Sequence, residues 1–145
     1  MGRTGMPKTC LFLLLGLLLT GISCATKKWM KSRPLDAGIK VVYKAPFDKV
    51  KRAAFDSLIE RGFHYKDEDY GWDERSDKAF FINSSKGLSM GTTGQYARVV
   101  IEKGPAEQTV YVLVDTKASS HDSNAADEDS ARGIHAGIEK RVMAK

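Results

Sequence analysis

Hydrophobic positions recur with two different spacings in the C-terminal three-quarters of this chain. Runs that are rich in β-branched residues, or that alternate apolar and polar positions, predict five strands, at residues 39–44, 63–69, 78–84, 95–103 and 108–115. The last two runs are joined by the four residues 104–107, GPAE, which predicts a β-hairpin. A polar turn is predicted around Gly71 and Asp73, and a polar loop over residues 116–126.

Two other segments have apolar residues at three- and four-residue spacing, which is typical of amphipathic helices. The first helix is predicted over residues 47–61, with Asp48 in its first turn and Gly62 as a left-handed C-cap. The second is predicted over residues 127–145, with acidic residues at its start and basic residues at its end. Its apolar stripe consists of Ala131, Ile134, Ile138 and Val142.

The order β-α-β-β-β-β-α predicts an α+β fold, an antiparallel four- to five-stranded sheet with both helices packed on one face. The other face is then left for water or a partner, and Tyr65, Tyr96 and Tyr111 are candidates to lie on it. Gly133 and Gly137 form a G-x-x-x-G pattern opposite the apolar stripe of the last helix. This pattern has two interpretations, a closely packed partner or a marginal terminal helix, since each glycine costs about 1 kcal/mol relative to alanine.

The N-terminus has the layout of an export signal. Arg3 and Lys8 form a basic region, and ten apolar residues follow from Cys10. The stretch LLLTGISC, which ends at Cys24, resembles the lipobox of bacterial lipoproteins, although Gly21 stands where that family most often has leucine. The resemblance implies cleavage between Ser23 and Cys24 and acylation of the Cys24 thiol. An ordinary secretory signal that is cut after Ala25 is the alternative.

The signal predicts three parts: a lipoprotein signal peptide at 1–23, an acylated basic tether at 24–37 and a single α+β domain at 38–145. Cys24 would be the only cysteine of the mature chain, which excludes an intramolecular disulfide. Ala25 is not the aspartate that retains some lipoproteins in the inner membrane. By resemblance, this favours the periplasmic face of the outer membrane if the source is Gram-negative.

Charge adds one further feature. Removing residues 1–23 takes away two bases and no acid, so the formal net charge falls from +5 to +3, which is too small to indicate nucleic-acid binding. The segment 26–34 is the exception, because its four bases surround Trp29 without an acid. It either binds anionic lipid headgroups or is a solvated linker.

The stretch VVYKAPFDKVKRAAFDSLIERGF, with the predicted hairpin at 96–114 and the last helix at 131–142, resembles a class of small uncharacterised bacterial lipoproteins. It is also similar to the helix-grip domains of the lipoprotein C subunit of the outer-membrane barrel assembly machinery. The resemblance covers most of the mature chain, and its motifs are packing motifs. It therefore implies a fold rather than an activity.

Candidate catalytic chemistry is sparse. Residues 87–91, GLSMG, match the G-x-S-x-G pattern of a nucleophile elbow, and Ser89 with a histidine such as His64 would make a small envelope hydrolase. A glycine-rich loop between two antiparallel strands explains the same residues without chemistry. His135 lies on the apolar stripe of the last helix, either as a hydrogen-bonded histidine at the core edge or as a ligand. The spacing of histidines and acids predicts no metal site and no cofactor.

We therefore expect a membrane-anchored lipoprotein of the cell envelope that acts as a non-catalytic binding or structural module through an envelope protein partner. A hydrolase that uses Ser89 is one alternative. A module that binds peptidoglycan or a small ligand through exposed tyrosines is another.

Overall fold

The computed structural model describes residues 33–64, 72–76, 79–87, 94–117 and 125–144. These parts contain the following elements in chain order: β1 Ile39–Tyr43, α1 Phe47–Glu60, β2 Trp72–Ser76, β3 Ala79–Lys86, β4 Gly94–Glu102, β5 Gln108–Lys117, β6 Ala125–Ala126 and α2 Glu128–Met143. The fold is α+β, as predicted. The compact unit begins at Arg33, ahead of the predicted domain start at residue 38.

The strands form one antiparallel sheet in the order β1-β5-β4-β3-β2. The predicted hairpin is the β4–β5 pair at its centre. The first strand pairs with the last long one, and Ile39 lies opposite Val112. The short β6 continues along the same edge of β5, where Ala126 lies opposite Asp115. The N- and C-terminal ends of the domain therefore meet on β5.

Both helices pack on one face of this sheet. The pairing aligns apolar side chains across neighbouring strands, so that Ile82, Val99 and Val112 form one row of the core. The residues of this row are at most 1% exposed. Together with the buried helix residues they form one continuous hydrophobic cluster. Burial of this kind contributes roughly 1.5 to 3 kcal/mol for each large aliphatic side chain.

Helix α1 ends as its sequence predicts. Gly62 has φ +77°, and its N–H donates to the carbonyl of Ile59 at 2.9 Å. The N–H of Phe63 donates to the carbonyl of Leu58 at the same distance, and these two bonds make a Schellman motif. Phe63 is 2% exposed and joins the core, so the chain turns directly from the helix into the sheet.

Helix α2 belongs to the core, as its apolar stripe predicts. Ala131, Ile134 and Ile138 are buried, and Val142 packs partly buried against the same cluster. The side chain of Asp127 caps the helix by accepting from the N–H of Ser130 at 2.9 Å. The acidic start of the helix is therefore a genuine N-terminus.

The two glycines of α2 face α1, so their assignment to a possible partner surface is wrong. A Cβ at Gly137 would overlap Oγ of Ser57, and a Cβ at Gly133 would overlap the guanidinium of Arg61. Ser57 is fully buried, and its hydroxyl donates to the carbonyl of Ile134 at 2.8 Å. The missing side chains allow the two helices to approach closely within one domain.

Of the predicted strand at 63–69 and the turn that follows it, the structure describes only Phe63, His64 and the residues from Trp72. His64 makes a single bridge to Ser85 at the outer edge of β3. Asp73, placed in a turn by the sequence, lies in β2, whose pairing with β3 is irregular between Asp73 and Ser76. The sequence of this edge strand, WDERS, has no apolar alternation, so the period-2 pattern does not identify it. Gly71 lies outside the described residues.

Candidate functional site: the sheet face away from the helices

The sheet face opposite the helices carries buried polar residues that lie outside the main hydrophobic core. Side chains alternate along strands, so the neighbours of the core residues in β3, β4 and β5 point to this face. They include Phe81, Tyr96, Arg98, Val100, Tyr111, Leu113 and Asp115. Tyr96 and Tyr111 therefore lie where the sequence predicts. Tyr65, the third predicted tyrosine, lies outside the described residues.

The expected exposure of these tyrosines is wrong. Tyr96 is 4% exposed and Tyr111 is 7% exposed. A second apolar cluster, made of Ala79, Phe81, Val100 and Tyr111, lies on this face. Strand alternation identifies the face to which a side chain points, but it does not report what lies over that face. An exposed tyrosine platform for peptidoglycan is therefore not present at these two positions.

Arg98 is the main organising residue of this face. It is 4% exposed, and its Nη1 donates to the carbonyl of Arg33 at 3.0 Å while Nη2 donates to the carbonyl of Pro34 at 2.5 Å. The N–H of Ala37 also donates to the carbonyl of Pro34, at 3.1 Å, and so closes a turn. A guanidinium has a fixed fork of donors, so it can hold two consecutive carbonyls at once. The segment before β1 is thereby fixed to the sheet.

Tyr111 lies beside two charged residues. Its hydroxyl donates to Oε2 of Glu102 at 3.3 Å, and Nζ of Lys40 lies 5.8 Å from the centre of its ring. Burial, together with the carboxylate of Glu102, raises the pKa of the Tyr111 hydroxyl. The phenol is therefore a neutral hydrogen-bond donor at physiological pH and not a nucleophile.

Asp115 is the least expected residue of this face. Its side chain is fully buried, and within the described parts of the chain neither carboxyl oxygen has a hydrogen-bond partner. Burial raises the pKa of the carboxyl above its ordinary value. The alternating pattern of β5 does not distinguish Asp115 from a solvated aspartate at a strand end. Its burial therefore could not be predicted from the sequence.

A second polar cluster surrounds the start of α2 on the helix side of the sheet. Oδ2 of Asp127 accepts from Gln95 at 2.7 Å, Thr116 at 3.0 Å and Ser130 at 2.9 Å. Hydrogen bonding, first from the backbone N–H of Ser130, lowers the pKa of Asp127. A cavity of about 210 Å³ lies beside this cap and is lined in part by Gly38 and Leu113. The hydrogen bonds fix the helix to β4 and β5, which is a structural role.

Of the two residues in the hydrolase alternative, the structure describes His64 but not Ser89. His64 is exposed, and its backbone exchanges hydrogen bonds of 2.8 and 2.9 Å with Ser85. Ser89 and His121, like the signal residues Ser23 and Cys24, lie outside the described residues. Over the described ranges, no three His, Cys, Asp or Glu side chains are grouped so that they could hold a metal ion. None of the helices in these ranges is long and apolar enough to cross a membrane.

Comparison of the chain with protein-family models, with curated proteins and with solved structures finds no match. The resemblance to envelope lipoproteins therefore stays a prediction from the sequence.

Proposed function

We propose that this protein is a lipid-anchored lipoprotein of the bacterial cell envelope and that its α+β domain is a non-catalytic binding or structural module. The observation that carries the proposal is the N-terminal pattern, in which a basic region and an apolar run end in TGISC at Cys24. Cys24 would carry the acyl chains. For a Gram-negative source, the domain would lie at the periplasmic face of the outer membrane.

The domain itself is consistent with this role. Arg98 binds the backbone of the segment before β1, and Asp127 caps α2. These contacts hold the fold together and fix the position of the segment through which the anchor would join the domain. The envelope protein partner is part of the proposal and is motivated by the sequence alone.

Acylation is tested by mass spectrometry of the mature N-terminus. The expected product begins at Cys24 and carries a diacylglyceryl thioether, and the protein floats with membranes in a sucrose gradient. Cys24→Ala is expected to leave an unprocessed precursor or a soluble protein. Cys10→Ala is the matched control, because Cys10 lies within the signal and is removed with it. A mature chain that begins at Thr26 and carries no lipid would refute the proposal.

A further inference from the structure

The chain enters the folded domain on the sheet face away from the helices. The carbonyls of Arg33 and Pro34 are held there by the buried guanidinium of Arg98. Arg33 directly follows residues 24–32, which connect it to the proposed acylation site. The position at which an anchor joins the domain determines which side of the domain lies closest to the membrane.

Two exposed apolar side chains lie on this same side. Leu35 follows the clamped carbonyls directly and is 46% exposed. Val42 is 44% exposed, and strand alternation directs it away from the helices because Tyr43, its neighbour, belongs to the core. The structure describes only two other large apolar residues with comparable exposure, Ile59 and Met143, and both are in the helices.

Basic residues flank both side chains along the chain, since Arg33 lies two residues before Leu35 and Lys40 and Lys44 lie two residues on either side of Val42. Arg33, Lys40 and Lys44 are exposed, and the nearby acids are Asp36 and Glu102. The tether adds Lys27, Lys28 and Lys31, with no acid between Cys24 and Leu35. We call Arg33, Leu35, Lys40, Val42 and Lys44 the entry-side patch. Its combination of apolar and basic side chains is typical of surfaces that lie at a lipid headgroup layer.

The helix side carries a similar mixture of charges. A groove of about 480 Å³ lies there between α1 and α2. It is lined by acids and bases together: Asp48, Lys49, Arg52, Asp56 and Arg141. With three bases and two acids, the groove has the same charge balance as the entry-side patch together with Asp36 and Glu102. The entry side differs because the tether, with three further bases and no acid, joins the domain there at Arg33.

From these observations we infer that the entry-side patch rests on the anionic headgroups of the membrane that carries the anchor, with the helix layer directed away from it. This inference rests on the proposed lipid anchor. Eight residues separate Cys24 from Arg33, and the nine Cα-to-Cα steps between them span at most about 30 Å. The acyl chains and the patch can therefore reach the same membrane surface, and Arg98 acts as a positioning residue that sets the orientation.

The experiment uses the full mature acylated protein with a single environment-sensitive fluorophore attached to Val42→Cys. Ile59→Cys is the matched control, an apolar residue that is 54% exposed on α1. Acylated Cys24 has no free thiol, so each variant is labelled at one position. The protein is placed in phosphatidylglycerol–phosphatidylethanolamine vesicles and, separately, in neutral phosphatidylcholine vesicles. Quenching by lipid-borne nitroxide and by aqueous iodide reports the position of each label.

The expected result is that the label at residue 42 is quenched by the nitroxide and shielded from iodide only in the anionic vesicles. The label at residue 59 should stay accessible to iodide in both. Lys40→Gln should lower the ratio of protein whose patch contacts the membrane to protein whose patch is in water by about five-fold. This corresponds to about 1 kcal/mol for one basic residue at an anionic surface. Arg98→Gln should leave acylation intact and make the two labels more alike.

A label at residue 42 that remains open to iodide in anionic vesicles, while the protein stays bound to them, would overturn the inference. Shielding in native membranes but not in lipid vesicles would also overturn it and indicate a protein partner on this side. Mass spectrometry of Cys24 in the same samples reports failure of the anchor separately. If Cys24 carries no lipid, the unacylated chain is sedimented with the same anionic vesicles. Sedimentation that Lys40→Gln weakens supports the lipid surface. A chain that does not sediment, or whose sedimentation Lys40→Gln leaves unchanged, overturns it.

Discussion

Tyr43 and His135 form a buried hydrogen-bonded pair that joins the first strand to the last helix. Oη of Tyr43 lies 2.8 Å from Nδ1 of His135, and Nε2 of His135 lies 2.8 Å from the carbonyl oxygen of Ile39. A carbonyl only accepts, so Nε2 carries the proton and Nδ1 accepts from the phenol. The geometry assigns His135 as the hydrogen-bonded histidine at the core edge, one of its two predicted interpretations.

The stability of the domain is expected to fall at mildly acid pH because of this pair. Burial lowers the pKa of His135 below its ordinary value of 6.5. Below pH 6.5 the unfolded chain therefore binds more protons than the folded one, and the free energy of unfolding decreases as the pH falls towards the folded pKa. Urea unfolding at pH 7.5 and pH 5.5 measures this change.

His135→Asn is expected to be less stable than the wild type at pH 7.5 and to lose this part of the pH dependence. Tyr43→Phe should cost about 1 to 3 kcal/mol at pH 7.5, since it leaves the buried Nδ1 without a donor. An unchanged pH dependence in His135→Asn would show that another group titrates.

Gly137→Ala is expected to destabilise the domain by about 1 to 3 kcal/mol, although alanine is the better helix former. The added Cβ would overlap Oγ of Ser57, which is buried and hydrogen bonded to α2. Gly133→Ala is the matched control. Its Cβ would meet the end of the Arg61 side chain, which is exposed and can move, so this change should be neutral or stabilising by up to about 1 kcal/mol.

Thermal unfolding of both variants distinguishes close helix packing from a generally marginal helix. If α2 were only marginal, both alanines would stabilise it equally. Ser57→Ala combined with Gly137→Ala should cost less than the sum of the two single changes, because the two side chains occupy the same space.

Asp115→Asn is expected to stabilise the domain at pH 7 by about 1 to 2 kcal/mol, since it removes a buried charge that has no partner among the described residues. The folded pKa of Asp115 is raised above 3.8. The wild type therefore loses stability as the pH rises from 3.8 through the folded pKa, and the advantage of the variant should disappear below pH 3.8.

The control for this substitution is Asp56→Asn, on the exposed side of α1, which should change stability by less than about 0.5 kcal/mol. Urea unfolding of both variants at pH 3.5 and pH 7 measures the effect. A destabilised Asp115→Asn at pH 7 would show that the carboxylate has a favourable partner in the folded protein.

Ser89→Ala is expected to leave the fold and the activity of the protein in cells unchanged, because a glycine-rich loop explains the G-x-S-x-G match without a base. Treatment of the purified protein with a fluorophosphonate probe, followed by mass spectrometry, measures the reactivity of the serine directly. A probe adduct on Ser89 that is lost in His64→Ala would favour the hydrolase alternative instead.

The sequence predicts the elements that bury one regular face. Helix α1 and the β4–β5 hairpin carry period-3.6 and period-2 patterns, because one side of each packs on the same core. Strand β2 could not be found in this way, since its sequence WDERS has no period-2 pattern and its pairing with β3 is made by the backbone. The pairing of β1 with β5 joins segments that are distant in the chain, so no local sequence pattern predicts it.

Helix α2 shows why the candidate surfaces were harder to predict. It buries Ile134 against the sheet and Gly137 against α1, so it has two buried sides rather than one. A single apolar stripe describes only the first. The clamp made by Arg98 is likewise invisible to the sequence, because an arginine in an alternating strand is normally read as a solvent-facing residue.

The pairing of β1 with β5 also determines when the domain can form. Ile39 pairs with Val112, and Tyr43 pairs with Gln108 and contacts His135. The first strand therefore has no partner until most of the chain is available. Contacts this distant in sequence form slowly, because a long loop must close before they are gained. If the chain is exported from its N-terminus, as proposed, it would close its sheet only after β5 and the last helix had emerged. Late closure would then keep the chain unfolded while it passes through the export channel.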